Sequence, residues 1–195
     1  MSDETDLIKL YSARILGLAA DIPHLGRLEN PDASVTRRSP LCGSTVTVDV
    51  VVEDGTLAQM GQDVKACALG QASAAVAGAA AVGATLDQIQ TARDQLKAML
   101  KGQGPVPNAP FDGFEVLTPA VAYKNRHASI LLTIEALAEA MEQTQEVAQN
   151  GQARSAAICA NSAAAAMPPA ANAPHRTPTQ KKRRTSGQDG GVRVR

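Results

Sequence analysis

The clearest pattern in the chain is the alternation of apolar and polar residues across residues 45–53. Valine occupies positions 46, 48, 50 and 52, while Thr45, Thr47, Asp49 and Glu53 point the other way. A period of two is typical of a half-buried antiparallel strand whose apolar face is covered. Asp54-Gly55 follows, and both residue types tolerate the positive φ of a type I′ turn. Because the alternation resumes through Ala66, the pattern predicts a β-hairpin.

Helical patterns lie on both sides of this hairpin. Apolar residues at helical spacing predict a first helix over residues 6–20. A short strand is expected over residues 33–38. After the hairpin, Cys67 opens a run of small residues that favours a helix, and Gly83 is a natural stop for it.

Two further helices are predicted in the second half of the chain. Thr85-Leu86-Asp87-Gln88 has the pattern of a capping box and opens a helix that ends at Gly102. Pro119 indicates a turn within a short helical segment over residues 114–123. Asn125 is the expected N-cap of the last helix. Its buried face is predicted to carry Ile130, Ile134, Leu137 and Met141.

These elements predict an α+β domain over residues 1–145, with a small antiparallel sheet of about three strands packed against several helices. Residues 146–195 contain alanine and proline runs and the basic cluster Lys181–Arg184. Their composition predicts a disordered basic tail.

Charge divides the chain at the same place. Residues 1–145 hold 11 basic and 17 acidic side chains, whereas residues 146–195 hold 8 and 2. An acidic body with 2% aromatic residues argues against a core that binds nucleic acid. The acidic N-terminus does not resemble a secretory signal, and no run of 18 apolar residues indicates a membrane segment. We therefore expect a cytoplasmic protein whose three cysteines are reduced thiols.

Three side chains that can bind metals fall at the boundaries of predicted elements. Cys42 lies in a loop before a strand, Cys67 opens a helix, and His127 lies in the first turn of another helix. Such boundaries can converge at one edge of a sheet, and two thiolates with an imidazole suit zinc or iron. The alternative is that a cysteine in a small-residue helix is simply a buried apolar side chain.

The order of these features resembles the iron–sulfur cluster assembly scaffold family of IscU, SufU and the N-terminal domain of NifU. The resemblance rests on Pro40-Leu41-Cys42-Gly43, on the hairpin that turns at Asp54-Gly55, and on Lys65-Ala66-Cys67 before a small-residue helix. It covers residues 6–143 and implies the IscU/SufU-like fold.

The resemblance also implies a site. Family members carry three cysteines and an aspartate; the first two cysteines correspond to Cys42 and Cys67, the third to His127, and the aspartate to Ser44. The chain therefore departs from the family at two positions. The implied site binds iron, a transient [2Fe–2S] cluster or zinc through Cys42, Cys67 and His127, with the fourth position open.

The function implied by the resemblance is that of a scaffold and not of an enzyme. Sulfur would come from a cysteine desulfurase, and the cluster would pass to apo-protein acceptors. Two alternatives stay open. One is a SufU-like zinc-dependent sulfurtransferase that accepts persulfide on Cys42 or Cys67. The other is a diverged, non-catalytic member that acts through protein contacts.

Overall fold

A computed structural model describes residues 12–40 and 42–164, with side chains up to residue 149. The elements, in chain order, are α1 (Ala13–Ala20), β1 (Ala33–Arg38), β2 (Thr45–Glu53), β3 (Thr56–Lys65), α2 (Ala68–Ala81), α3 (Leu86–Leu100), a 3₁₀ helix (Asp112–Ala122) and α4 (Lys124–Ala164). The predicted α+β class is confirmed. No helix in the described ranges is both long enough and apolar enough to cross a membrane.

The three strands form one antiparallel sheet in the order β1-β2-β3, and the predicted hairpin is confirmed. Asp54 and Gly55 have φ angles of 50° and 77°, as the turn requires. A register shift between Val51 and Val52 places Leu57 opposite Val52. Leu57 is fully buried there, so it takes the core position that simple alternation assigned to its neighbour.

The polar face of β2 is covered at its centre, unlike the half-buried strand that the sequence predicted. Asp49 is 0% exposed, because the loop before β1 lies over it. Gly61 is the register partner of Asp49 on β3, and a Cβ there would lie 2.8 Å from the Gly26 carbonyl oxygen. The missing side chain gives this loop room to lie on the sheet.

Helix α2 is the central helix of the fold, and its small residues explain why. Nearly all of its residues from Leu69 to Gly78 are buried. Short side chains let neighbouring backbones come close on several sides. Ser73 donates a hydrogen bond to the Ile130 carbonyl oxygen of α4. This contact places the start of α4 beside the start of α2.

Two other helices agree with their sequence signals. The capping box at Thr85 and Gln88 is present, and α3 ends just before Gly102, as predicted. Ser12 caps α1, which buries Ile15. The part of the first predicted helix before Ser12 lies outside the described residues.

Helix α4 begins and ends at places that differ from the prediction. It starts at Lys124, so Asn125 lies within its first turn and is not the N-cap. The predicted buried face is confirmed, since Ile130, Ile134, Leu137 and Met141 are each at most 1% exposed. The helix continues to Ala164, past the predicted start of the tail at residue 146. The domain boundary at residue 145 stays a prediction, and residues 165–195 lie outside the described residues.

Charged side chains fix α4 against the rest of the fold. Arg37 of β1 pairs with Glu135 at 2.7 Å and with Glu139 at 3.0 Å. Lys97 of α3 pairs with Glu135 at 2.8 Å. Three elements thus meet at one carboxylate, and the position of α4 relative to β1 and α3 is set by ion pairs as well as by burial.

Candidate thiol and metal site

Cys42 lies in a tight loop between β1 and β2. The Ser39 N–H donates to the Ser44 carbonyl oxygen at 2.8 Å, and the Gly43 N–H donates to the Ser39 carbonyl oxygen at 3.2 Å. Gly43 has a φ of 69°, a conformation that glycine adopts without strain. These bonds close the loop on itself, so the position of Cys42 is fixed by the backbone around it.

Hydroxyl groups surround the thiol of Cys42. Its Sγ lies 3.3 Å from Ser39 Oγ and 3.0 Å from Ser44 Oγ. Burial opposes ionisation of this thiol, but hydrogen bonds from Ser39, Ser44 and, least strongly, Ser129 outweigh it and lower the pKa of Cys42 to about 7. The lowered pKa of Cys42 favours the thiolate, the form that binds metals and attacks sulfur.

Cys67 occupies the N-cap position of α2, as the sequence predicted. Its side chain makes no capping hydrogen bond, and its Sγ lies 3.4 Å from Ser129 Oγ of α4. Like Cys42, it is half-buried. The thiol thus does not cap the start of the helix, and it contacts a hydroxyl that belongs to another element.

Two buried hydroxyls join the two cysteines. Ser129 donates to Ser44 at 3.1 Å, and Ser44 lies 3.0 Å from the thiol of Cys42. When Cys42 is ionised, the bonds can all run one way: the Cys67 S–H donates to Ser129, Ser129 to Ser44, and Ser44 to the thiolate. Ser44 is 4% exposed and Ser129 1% exposed, so water does not compete well for these bonds.

His127 is not part of this cluster. Its Nε2 lies 3.0 Å from the Ala120 carbonyl oxygen in the preceding 3₁₀ helix. Ser129 is two positions further along α4, and residues two apart in a helix point about 200° apart. Within the described part of the chain, no three His, Cys, Asp or Glu side chains are close enough together to hold a metal ion. The structure therefore brings Cys42 and Cys67 to two hydroxyls that are bonded to each other, whereas the His127 ring bonds to Ala120.

Ser129 is the site residue that sequence reasoning missed. It carries no motif and lies in the middle of a helical pattern. Its contact with Ser44 joins residues 85 positions apart. The one signal that pointed here was the position of His127 two residues earlier, at the start of the last helix.

The fold and the paired thiols define a small α+β protein with a candidate site for a soft metal or for sulfur. A solved structure of a nitrogen-fixing NifU-like protein (N-terminal) from Brucella abortus is 43% identical to this chain, with a TM-score of 0.70. The match covers 72% of this chain and 98% of that one. The chain therefore belongs to the NifU-like family of iron–sulfur cluster assembly scaffold proteins.

More distant structures agree on the fold. A structure from Fervidobacterium islandicum AW-1, described as an iron–sulfur cluster assembly scaffold protein for the SUF system, is 20% identical, with a TM-score of 0.63. A hypothetical protein is 21% identical with the same TM-score. Each match covers 69% of this chain and 98% of the other. No protein-family model and no curated protein matched the chain.

Proposed function

We propose that this protein binds iron, a transient [2Fe–2S] cluster or zinc during iron–sulfur cluster assembly, with Cys42 and Cys67 as thiolate ligands. The supporting observation is that two cysteines 25 positions apart bond to one connected pair of hydroxyls, Ser44 and Ser129. Thiolates are the ligands that zinc and iron–sulfur clusters take most readily. The cluster is cargo in this role, so two half-buried sulfurs suit both loading and release.

His127 is the proposed third ligand. A carbonyl oxygen can only accept, so the bond to Ala120 places a proton on Nε2, and the tautomer of the neutral ring that fits this bond has its lone pair on Nδ1. That neutral imidazole is the form that binds a metal, and ligating histidines commonly donate their other N–H to a carbonyl. Because His127 is not grouped with the cysteines, ligation requires movement of its side chain or of the first turn of α4.

The proposed partners follow from the family. A cysteine desulfurase supplies sulfur, and apo-proteins accept the finished cluster. Ser44 stands where the family aspartate is expected, and a neutral hydroxyl is a poor metal ligand. The fourth position would then be filled by sulfide, water or a side chain of a partner.

Zinc and cobalt titration of the full chain, purified without oxygen, tests this function. We expect one zinc per chain, and a cobalt form whose thiolate-to-metal absorption has the intensity of two sulfur ligands. Cys42→Ser and Cys67→Ser should each lower zinc affinity by more than about tenfold, because even the loss of groups that only support a ligand costs 10–100-fold. His127→Ala should lower it less.

Cys159→Ser is the matched control, since Cys159 is the third cysteine of the chain and is not one of the proposed ligands. It should bind zinc as the unaltered protein does. Absence of stoichiometric zinc and iron from the intact protein would remove the metal-binding proposal, as would equal affinity in the Cys42→Ser and Cys67→Ser variants. The remaining hypothesis would then be a family member that acts through protein contacts.

A second candidate function is persulfide acceptance, and the lowered pKa of Cys42 favours it. The Cys42 thiolate would attack the outer sulfur of the persulfide on a cysteine desulfurase. A new S–S bond forms on Cys42 while the old one breaks, and the desulfurase cysteine leaves as a thiolate. One sulfur atom is transferred without net oxidation or reduction.

Desulfurase turnover measured with and without the zinc-loaded protein tests this second function. We expect faster turnover with the protein, and none of that acceleration with Cys42→Ala. Cys159→Ala should accelerate turnover as the unaltered protein does. If the unaltered protein leaves the rate unchanged, the sulfurtransferase hypothesis is rejected while the metal-binding proposal stands on its own test.

A further inference from the structure

Ser129 of α4 contacts both halves of the candidate site. Its hydroxyl donates to Ser44 at 3.1 Å, and Ser44 in turn contacts the thiol of Cys42. The same hydroxyl lies 3.4 Å from the thiol of Cys67. The loop that carries Cys42 and the helix that carries Cys67 are thus both bonded to a single atom.

We propose that Ser129 is a positioning residue that keeps the loop of Cys42 and the start of α2 together, so that both thiols can reach one ion. This inference rests on the proposed thiolate site. Two sulfurs bound to one zinc at 2.3 Å in tetrahedral geometry lie about 3.8 Å apart. Cys42 and Cys67 belong to separate elements, so their spacing depends on whatever joins those elements near the thiols.

The position of Ser129 depends on Gly70, one turn after Cys67 in α2. A Cβ at residue 70 would lie 2.6 Å from Ser129 Oγ and 3.1 Å from the Ser129 carbonyl oxygen. Glycine at this position lets α4 come close enough for the Ser129 hydroxyl to reach Cys67. The close contact of the two helices is therefore part of the site and not only part of the core.

On the Cys42 side, the contact with α4 is the hydrogen bond from Ser129 to Ser44. The loop over residues 39–44 closes on itself through backbone bonds, and the bond from Ser129 to Ser44 ties it to α4. Both serines are almost fully buried, so a lost partner would not be replaced easily by water. Removing the Ser129 hydroxyl breaks this bond between the loop and α4 without altering either cysteine.

Cross-linking of the two thiols measures their separation without any metal. Dibromobimane becomes fluorescent when it has alkylated two thiols, and monobromobimane reports the reactivity of each thiol alone. In full-length protein with Cys159→Ala, Ser129→Ala should lower the ratio of double to single alkylation at least about threefold, because the second step depends on the effective concentration of the thiols. Zinc affinity should fall about tenfold, as for other groups that support a ligand.

Ser73→Ala is the matched control. Ser73 is also a fully buried serine at the contact of α2 with α4, but its hydroxyl bonds to the Ile130 carbonyl oxygen and not to a thiol. It should leave the alkylation ratio and the zinc affinity within about twofold of the parent, although it removes a buried hydrogen bond of the same kind. Equal ratios in Ser129→Ala and Ser73→Ala would overturn the positioning role.

Gly70→Ala provides a second variant that keeps the hydroxyl and moves it. It should lower the alkylation ratio, whereas Gly17→Ala, a helical glycine with nothing within 4 Å of its Cβ position, should not. An unchanged ratio in Gly70→Ala would count against the inference. If the ratio falls as expected but no metal binds, the proposed function fails and the positioning role stands. If zinc binds but neither Ser129→Ala nor Gly70→Ala alters the alkylation ratio, the positioning role fails and the proposed function stands.

Discussion

Asp49 and Cys42 both belong to polar clusters at the sheet, but the two clusters are bonded in different ways. Asp49 receives two hydrogen bonds from Arg27, at 2.6 and 2.9 Å, and one from the Leu28 N–H at 3.0 Å. Each of these groups can only donate a hydrogen bond, and the carboxylate can only accept one. The carboxylate fastens a loop to the sheet and has little capacity left for another partner.

In the cluster around Cys42, the donor and acceptor roles are not fixed by the chemistry of the groups. Hydroxyls and thiols each donate and accept, and thiols are weak hydrogen-bonding groups; the contacts between sulfur and oxygen are 3.0 to 3.4 Å. Bonds of this kind exchange partners at low cost. The comparison indicates that charged hydrogen bonds fasten a loop to the sheet at Asp49, whereas hydroxyl contacts leave the two thiols able to take a ligand.

The largest expected effect comes from breaking the ionic cluster. Asp49→Ala removes the fully buried acceptor of the Leu28 N–H and of the Arg27 guanidinium, so we expect the melting temperature to fall by about 5 °C or more. Thermal unfolding followed by circular dichroism measures it. Zinc affinity should stay unchanged, since Asp49 contacts no residue of the thiol cluster.

Asp63→Ala is the control for this prediction. Asp63 lies on β3 and pairs with Lys65, whose side chain is 76% exposed, so its loss should alter the melting temperature little. A similar fall in both variants would contradict the distinction between the clusters.

The contribution of Asp49 to stability also depends on pH. Burial raises the pKa of Asp49, but the hydrogen bonds from Arg27 and Leu28 lower it by more than burial raises it, so the net shift is downward from 3.8. The stabilisation is therefore present above that pH and lost as the pH falls through the lowered pKa.

A smaller effect on the melting temperature is expected when a carboxylate is placed in the cluster around Cys42. Ser44→Asp restores the family carboxylate at a position that is 4% exposed and has hydroxyl and thiol neighbours. Without metal, the buried charge should lower the melting temperature by about 4 °C. With zinc, the variant should gain more stability than the unaltered protein, because a third anionic group faces the ion.

Ser44→Asn separates charge from size in this experiment. It should be destabilised by its bulk but should gain no extra stability from zinc. Thermal unfolding with and without zinc compares all three proteins. If Ser44→Asp gains no more from zinc than Ser44→Asn does, residue 44 does not face the ion, and the mapping of the family aspartate to this position is wrong.

The same contrast explains what the sequence could and could not predict. The hairpin was predicted because its signals are local: alternating valines and Asp54-Gly55 specify the strand faces and the turn within a few residues. The burial of Asp49 was missed because Arg27 lies 22 positions away, in a loop without periodicity. The contact of Ser44 with Ser129 spans 85 positions, and it depends on a close approach at Gly70 that no local pattern announces.

The candidate ligands were predicted with the same limits. Cys42 and Cys67 lie at element boundaries, and their hydroxyl partners Ser44 and Ser129 are bonded to each other, but their role as metal ligands stays a prediction. The prediction that His127 joins them as a ligand stays untested. In the structure its ring bonds to the Ala120 carbonyl oxygen. A helix start can shift by a residue or two at little cost, and each residue turns a side chain by about 100°.

The smallest expected effect concerns ionisation of Cys42. Alkylation by iodoacetamide, followed by peptide-resolved mass spectrometry, should show a rate that rises with pH around a midpoint of about 7 for Cys42. Ser44→Ala removes a hydroxyl bond to the thiolate, so its midpoint should move up toward the value of about 8.5 of a free thiol. At pH 7 alkylation should slow several-fold, and well above pH 9 the two proteins should react alike.

The lowered pKa of Cys42 also makes the free energy of unfolding depend on pH. The pKa of Cys42 is lower in the folded protein than in an unfolded chain, so its contribution is fully present above the unfolded value and lost as the pH falls through about 7. Ser44→Ala should therefore cost more stability at pH 9 than at pH 6. Ser34→Ala removes a hydroxyl that bonds to Arg27 in the ionic cluster, and should leave the Cys42 midpoint in place. A midpoint that moves equally in both variants would mean that Ser44 has no particular role in stabilising the thiolate, and the two clusters would not differ as proposed.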